Sequence, residues 1–498
     1  MESKLLNVGT HEAGNEFESS LRQAFMELEP RLRPPFSIAI PTPQEYSQLN
    51  HALLYGVLTE PQFAKIHVKH LHGLVSDGYA LFVSLTLRVV LELYNKLVDS
   101  VKQQLIWAVN EIVGVFGVGF DGLLLGLLRH TVGCDYTDRG LWLCFELINL
   151  LLTNFISLLE QEPSVLTSAL YVYLRLLADH CRVSGNVRVD FLKKLEIEFC
   201  VKMLREQFHL SMKIGRDLVR LLQDLVHVPE FRNIWKDLVL DPTTFGTEGF
   251  SDVGQLYSTR TSSRYFLLRV TPEMELQLRF LLVHVKFRHL KRYQTWFAKK
   301  FLFEPERETL IVDMIRFICC AHHPSNEIIH SDSVPRWAII GWLLSSFRKK
   351  YVEANAKLAL FYDWLYFDER MDNIMNIEPA MLLMVCSMPQ YVGMTQSLLE
   401  FLLLLVDNYD QMHSYTVANG VSLAFNSLVT KGVINNVDTL TSCDALSPFL
   451  KERLKKLLSS TNETLPHQLC PSRLPHCSAD ASHLETPASH PKHEPAGA

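Results

Sequence analysis

The stretch Ile214-Gly-Arg-Asp-Leu-Val-Arg-Leu-Leu-Gln-Asp-Leu225 decides the fold class. Its apolar residues Ile214, Leu218, Leu221, Leu222 and Leu225 recur at steps of three and four, the spacing that lines one side of an α-helix. Arg216, Asp217, Arg220 and Asp224 fall largely on the other side, so the segment reads as an amphipathic helix with a solvated charged face. The same period runs through 79–98, 141–159, 166–179, 191–208, 310–320, 337–347, 356–366, 398–409 and 449–458. Alternation of period two, the mark of strands, is rare and short. Pro163, Gly185, Pro229, Pro242, Pro324, Pro335, Pro379 and Pro389 punctuate these blocks. Starts are legible too: Ser100 is placed to cap a following helix, and Thr271-Pro272-Glu273 puts proline at a first helical position. The reading is all-α, about seventeen helices of roughly 10–20 residues joined by short turns.

A chain of 498 residues suggests about three domains, but a single repeat array of the same length is equally consistent. No strict repeat of fixed period is found, which favours a HEAT-like solenoid with degenerate repeats over a TPR or ankyrin array. The expected organisation is an N-terminal extension and Pro-rich lead-in (1–44), a first helical-repeat lobe (45–240), a Gly/Ser/Thr-rich loop (241–264), a second lobe (265–460) and a disordered Pro/His-rich tail (461–498).

Apolar residues make up 48% and charged residues 20%, which predicts a sizeable core and excludes wholesale disorder. Lys and Arg number 48 against 54 Asp and Glu, so the chain is not a histone-like cation, although a local basic patch fits within that total. Ten cysteines over this length, with Cys319 and Cys320 adjacent, do not form a small-domain disulfide framework and point to a reducing compartment. No secretory h-region follows Met1. Segments 140–159 and 112–128 are apolar but carry Glu146, Asn149, Asn154 and Asp121, and read as buried helices of a soluble intracellular protein rather than membrane spans.

Motifs of bound chemistry are weak. Gly117-Val-Gly119-Phe-Asp-Gly122 matches GxGxxG, but a helix rather than a strand precedes it, so an inter-helix turn is the better reading. Cys319, Cys320, His322 and His323 lack a second ligand pair, as does the loose cluster His67, His70 and His72, so no metal and no cofactor is expected. Glu146 and Asp363 within apolar helices suggest buried polar networks between helices. No Walker A loop, GxSxG elbow, HExxH or kinase set occurs, so no enzyme is expected. The informative charge run is 279–301, which holds seven Lys and Arg, no Asp or Glu, and Tyr293, Trp296 and Phe297 among them. Cations beside stackable rings suit a nucleic-acid strand or an acidic partner, and Lys286, Arg288, Lys291, Arg292 and Trp296 are the candidate contacts. Against this stands a plain solvated helix face whose Trp296 and Phe297 are core residues.

Several stretches, in order along the chain, resemble the Integrator complex subunit 3 family. They are 214–223, Lys291-Arg-Tyr-Gln-Thr-Trp-Phe297, His323-Pro-Ser-Asn-Glu327, Pro335-Arg-Trp-Ala-Ile-Ile-Gly-Trp-Leu-Leu344, Asn355-Ala-Lys-Leu-Ala-Leu-Phe-Tyr-Asp-Trp364 and Ile374-Met-Asn-Ile-Glu-Pro379. The resemblance spans roughly 46–460, the family's amino-terminal half. It implies a non-enzymatic helical scaffold in the nucleus, with the cytoplasm as a second location, that docks an OB-fold single-strand DNA-binding protein and a small third subunit, alongside other Integrator subunits. The implied processes are small nuclear RNA 3′ processing, transcription attenuation and DNA-damage signalling, with nucleic acid met mainly through the OB-fold partner. The resemblance is lost near Ser460, as in a truncated form, so the self-association and the Integrator subunit 6 contact of the family's carboxyl-terminal half are not expected here. A karyopherin-like transport adaptor is the alternative that helix pairs and mild acidity also suit.

Overall fold

The computed structural model describes residues 4–7, 15–36, 40–131 and 135–459, and the expected tail 461–498 lies outside them. The described residues form an all-α solenoid of 25 α-helices with no strand; Leu6–Leu97 and Lys286–Ser333 make isolated antiparallel bridges. The helix count exceeds the expected seventeen because the chain also uses pieces of four or five residues, such as Phe208–Ser211, Gly254–Ser258 and Asn326–Ile329. These are shorter than the window over which periodicity can be read. Glu16–Leu28, which the sequence reading did not single out, is a further helix, and its Phe17, Leu21 and Phe25 enter the core.

Local chemistry explains most boundaries. Pro272 opens the helix Pro272–Val283, as expected, and Thr271 caps it, its hydroxyl accepting from the Met274 amide at 3.1 Å. Thr42 and Glu45 form a reciprocal capping box on Pro43–Thr59. Ser100 caps nothing: the helix begins one residue earlier, at Asp99, after extended Val98. Pro389 does not end its helix but sits inside Glu378–Asn408, which bends where Tyr391 leaves helical geometry (φ −131°, ψ 47°). The glycine motif is a turn. Gly119, at φ +83°, precedes the helix Phe120–Leu128, and a Cβ on Gly117 would meet the Tyr79 Cβ at 2.8 Å.

One hydrophobic core runs from Leu5 to Leu457, through the almost wholly buried helix Pro163–His180. It continues across segment 241–264, where Phe245, Phe250, Val253, Leu256 and Tyr257 are buried. No single helix among the described residues is long and apolar enough to cross a membrane; the pair Asp138–Thr153 and Phe155–Gln161 is bent by 73°.

The helix Arg216–Asp224 departs from its sequence reading. Arg216, Asp217 and Arg220 are buried, so its charged side faces other helices rather than water. Arg316, from Leu310–Cys320, joins Asp217 at 2.6 Å and Asp363, from Lys350–Leu365, at 2.8 Å. Arg220 closes on Asp217 at 2.7 Å, and Arg216 reaches Asp372 at 3.1 Å. A second cluster lies beside it, in which Arg175 binds Asp179 at 2.9 Å and Asp313 at 3.4 Å. The reading of Asp363 as part of a buried network holds. Amphipathic spacing identifies the helix, but it cannot tell a solvated charged face from one matched by partner charges.

Burial disfavours the charged form of Asp363, but the Arg316 and Arg216 guanidiniums outweigh it and hold the carboxyl at about 2. Its contribution to stability is therefore complete above about pH 4 and is lost as pH falls through the folded value. The stability gap between wild type and Asp363→Asn, measured by urea unfolding, is expected to shrink over that window; a gap independent of pH would contradict the pairing. Arg316→Met leaves two buried carboxylates without their shared cation and is expected to cost about 3–5 kcal/mol in the same assay. A loss below about 1 kcal/mol would show that the network does little structural work.

Candidate nucleic-acid or partner interface

The acid-free run folds into the end of Pro272–Val283, a 3₁₀ turn at Phe287–His289 and the helix Leu290–Phe301. Apolar Phe297 and Phe301 tie that last helix to the core. Phe297 is buried, with its ring 4.7 Å from Phe301 and 6.1 Å from Trp342. Trp296, one residue earlier, points away and is 43% exposed. The two therefore do not form a core pair: a 100° step places one inside and one outside.

Arg292, Trp296 and Lys299 follow at four- and seven-residue steps on the exposed side of the helix, flanked by exposed Lys291. Lys291, Arg292 and Lys299 have no ion-pair partner among the described residues, so their charge is available to a ligand. Lys300 lies 5.4 Å over the Trp296 ring and also pairs with Glu273. Exposed Phe280 and Phe287 extend the aromatic character beyond the helix, and Phe280 contacts Tyr293 at 5.7 Å.

The structure groups the five expected contacts unevenly. Lys291, Arg292 and Trp296 share one helix. Lys286 precedes the 3₁₀ turn and is already paired with Asp332 at 2.8 Å. Arg288 lies on that turn, exposed, with its Nε donating to His289 Nε2 at 3.1 Å. Arg279, at the other end of the run, is already paired with Glu275 at 2.7 Å. The face can therefore offer three unpaired cations and one accessible indole to a phosphate chain, to stacked bases or to acidic side chains.

Of the Cys and His groups set aside in the sequence, Cys319, Cys320, His67, His70 and His322 lie inside the fold, whereas His72 is exposed and meets the Tyr79 hydroxyl at 2.7 Å. Cys319 and Cys320 are buried at the end of their helix; burial pushes the Cys319 thiol up to about 12, and Cys320 donates to Asp363 at 3.1 Å. His323 lies 3.0 Å from the Asn376 side-chain oxygen, and burial with Arg279 and Arg336 nearby lowers His322 to about 4. His67 is held between Arg33 and Glu60, and His70 stacks on Phe36 at 4.1 Å.

Residues 44–456 match the family model described as Integrator complex subunit 3 N-terminal. The chain is 38% identical over 423 residues to the Integrator complex subunit 3 homolog of Dictyostelium discoideum, covering 84% of this chain and 28% of that protein. It is 37% identical over 414 residues to Integrator complex subunit 3 of Mus musculus and over 413 residues to that of Homo sapiens, covering 83% of this chain and 39% of each relative. The chain thus spans well under half the length of these relatives.

If Trp296 belongs to the surface and Phe297 to the core, the two truncations separate. Trp296→Ala and Lys291→Glu/Arg292→Glu are expected to change unfolding free energy by no more than about 0.5 kcal/mol. Phe297→Ala is expected to cost about 3–5 kcal/mol. Equal costs at positions 296 and 297, measured by urea unfolding, would return Trp296 to the core.

Proposed function

Since the chain belongs to the Integrator complex subunit 3 family, matching its amino-terminal region, we propose that it is a non-enzymatic scaffold subunit of an Integrator-type assembly. The observation that carries this reading is the coincidence of the family match, 44–456, with a continuous helical core. A solenoid of this kind offers a long surface on which partners can be arranged.

In this reading the chain docks an OB-fold single-strand-binding protein, a small third subunit and other Integrator subunits. It works in the nucleus, in small nuclear RNA 3′ processing, transcription attenuation and the response to DNA damage. Nucleic acid is held mainly by the OB-fold partner. Lys291, Arg292 and Trp296 serve as auxiliary contacts, with Lys286 and Arg288 at their edge. The unpaired state of Lys291 and Arg292 supports this, because a cation without an internal carboxylate can release counterions from a phosphate chain.

The full chain and residues 1–460, each tagged and recovered from nuclear extract, are expected to bring down the same OB-fold protein. Its absence from both, with helical circular dichroism intact, would refute the scaffold reading, and cargo released by a GTPase would favour a transport adaptor instead. In the reconstituted complex, Lys291→Glu/Arg292→Glu is expected to weaken oligothymidine binding. It should also flatten the log–log salt slope by about 1.4, the value for two lost phosphate contacts on a single strand. An unchanged slope would remove these residues from the nucleic-acid path.

A further inference from the structure

The exposed side of Leu290–Phe301 carries a hydroxyl at its centre. Thr295 lies one turn after Lys291 and Arg292 and one turn before Lys299, all four are exposed, and Trp296 stands beside it. Side chains at these steps are neighbours, with Cβ atoms about 5–6 Å apart. The Thr295 hydroxyl donates to the Lys291 carbonyl of its own helix at 2.9 Å. A negative charge placed on that oxygen therefore comes within reach of all three unpaired cations of the face.

Arginine stands three residues before a Ser or Thr at two places in the chain, before Ser263 and before Thr295. Arginine-directed protein kinases select this spacing through carboxylates in their substrate groove. What holds the two hydroxyls differs. A kinase takes its substrate in extended form, so the acceptor's segment must open locally. Ser263 is exposed but bracketed by buried Thr261, Tyr265 and Phe266. The Thr261 hydroxyl also accepts from the amide of Asp217, which belongs to the buried charge network, at 3.0 Å. From Lys286 to Trp296, by contrast, no residue is buried, and the helix is anchored only beyond that point, by Phe297 and Phe301. Its first turns can open without exposing the core.

We propose that Thr295 is the phosphoacceptor of an arginine-directed protein kinase, and that its phosphate switches the cationic face off. The Thr295 oxygen bonds to the γ-phosphorus of the kinase's ATP as the bond from that phosphorus to the β-phosphate oxygen breaks. ADP leaves with the electron pair, and the hydroxyl proton passes to the kinase's catalytic carboxylate. The product carries about −1.5 to −2 at neutral pH and offsets most of the charge of Lys291, Arg292 and Lys299. The regulatory consequence rests on reading this face as a polyanion contact; the acceptor role of Thr295 does not.

The test is to treat the full chain with Mg-ATP and the catalytic subunit of the cyclic-AMP-dependent kinase, and to locate phosphate by tandem mass spectrometry. Phosphate is expected on Thr295 and not on Ser263. Arg292→Lys, which keeps the charge and the helix, should lower kcat/KM for the kinase about tenfold. The phosphorylated chain should leave a heparin column at lower salt than the untreated one, whereas Thr295→Ala should elute alike with and without kinase treatment. In the reconstituted complex the log–log salt slope for oligothymidine should flatten by about 1.4, as for two cations withdrawn. No phosphate on Thr295, or stoichiometric phosphate there with heparin elution unchanged, would overturn the proposal. So would an untreated chain that heparin does not retain, because no accessible charge would then remain to be cancelled. A chain that heparin retains and oligothymidine does not bind would contradict the nucleic-acid reading alone.

Discussion

The guanidinium of Arg316 sits between Asp217 and Asp363 and joins three helices at one buried point. A buried pairing of this kind discriminates between correct and incorrect packing, because a misplaced partner leaves a charge unmatched. The apolar faces of these helices are built from Leu, Ile, Val and Phe, which tolerate exchange when volume is kept. A buried charge tolerates no such exchange, because an unpaired one costs several kcal/mol. We take the network to set which helix meets which, while the apolar core supplies most of the driving force. Arg216 and Arg220 on one side, and Arg175 with Asp179 and Asp313 on the other, extend the same constraint along the array.

A scaffold held in register this way can present fixed surfaces. The face of Leu290–Phe301 offers unpaired cations around one exposed indole, a chemistry that suits an extended anion. A surface that is already ordered avoids the ordering cost of flexible docking.

What the sequence could reveal follows from how far each signal reaches. Spacing within one helix is a local property, so the all-α class, the helix start at Pro272 and the cations of Leu290–Phe301 were legible. Helices of four or five residues leave no periodic trace, and Ser100 mimics a cap that backbone geometry places elsewhere. The buried side of Arg216–Asp224 was misread because its partners, Arg316, Asp363 and Asp372, lie about 100–150 residues away and only the fold brings them together.

Hydrogen exchange resolved by segment tests the role of the buried charge network most directly. Because one core and the Arg316 pairs tie the two sequence halves together, amides in Pro163–His180, Arg216–Asp224, Leu310–Cys320 and Lys350–Leu365 are expected to open together. They should share one free energy that falls in parallel when Arg316 is replaced. If the helices before and after segment 241–264 instead exchange as separate units, and replacement of Arg316 affects only its own helix, the network does not hold the scaffold in register.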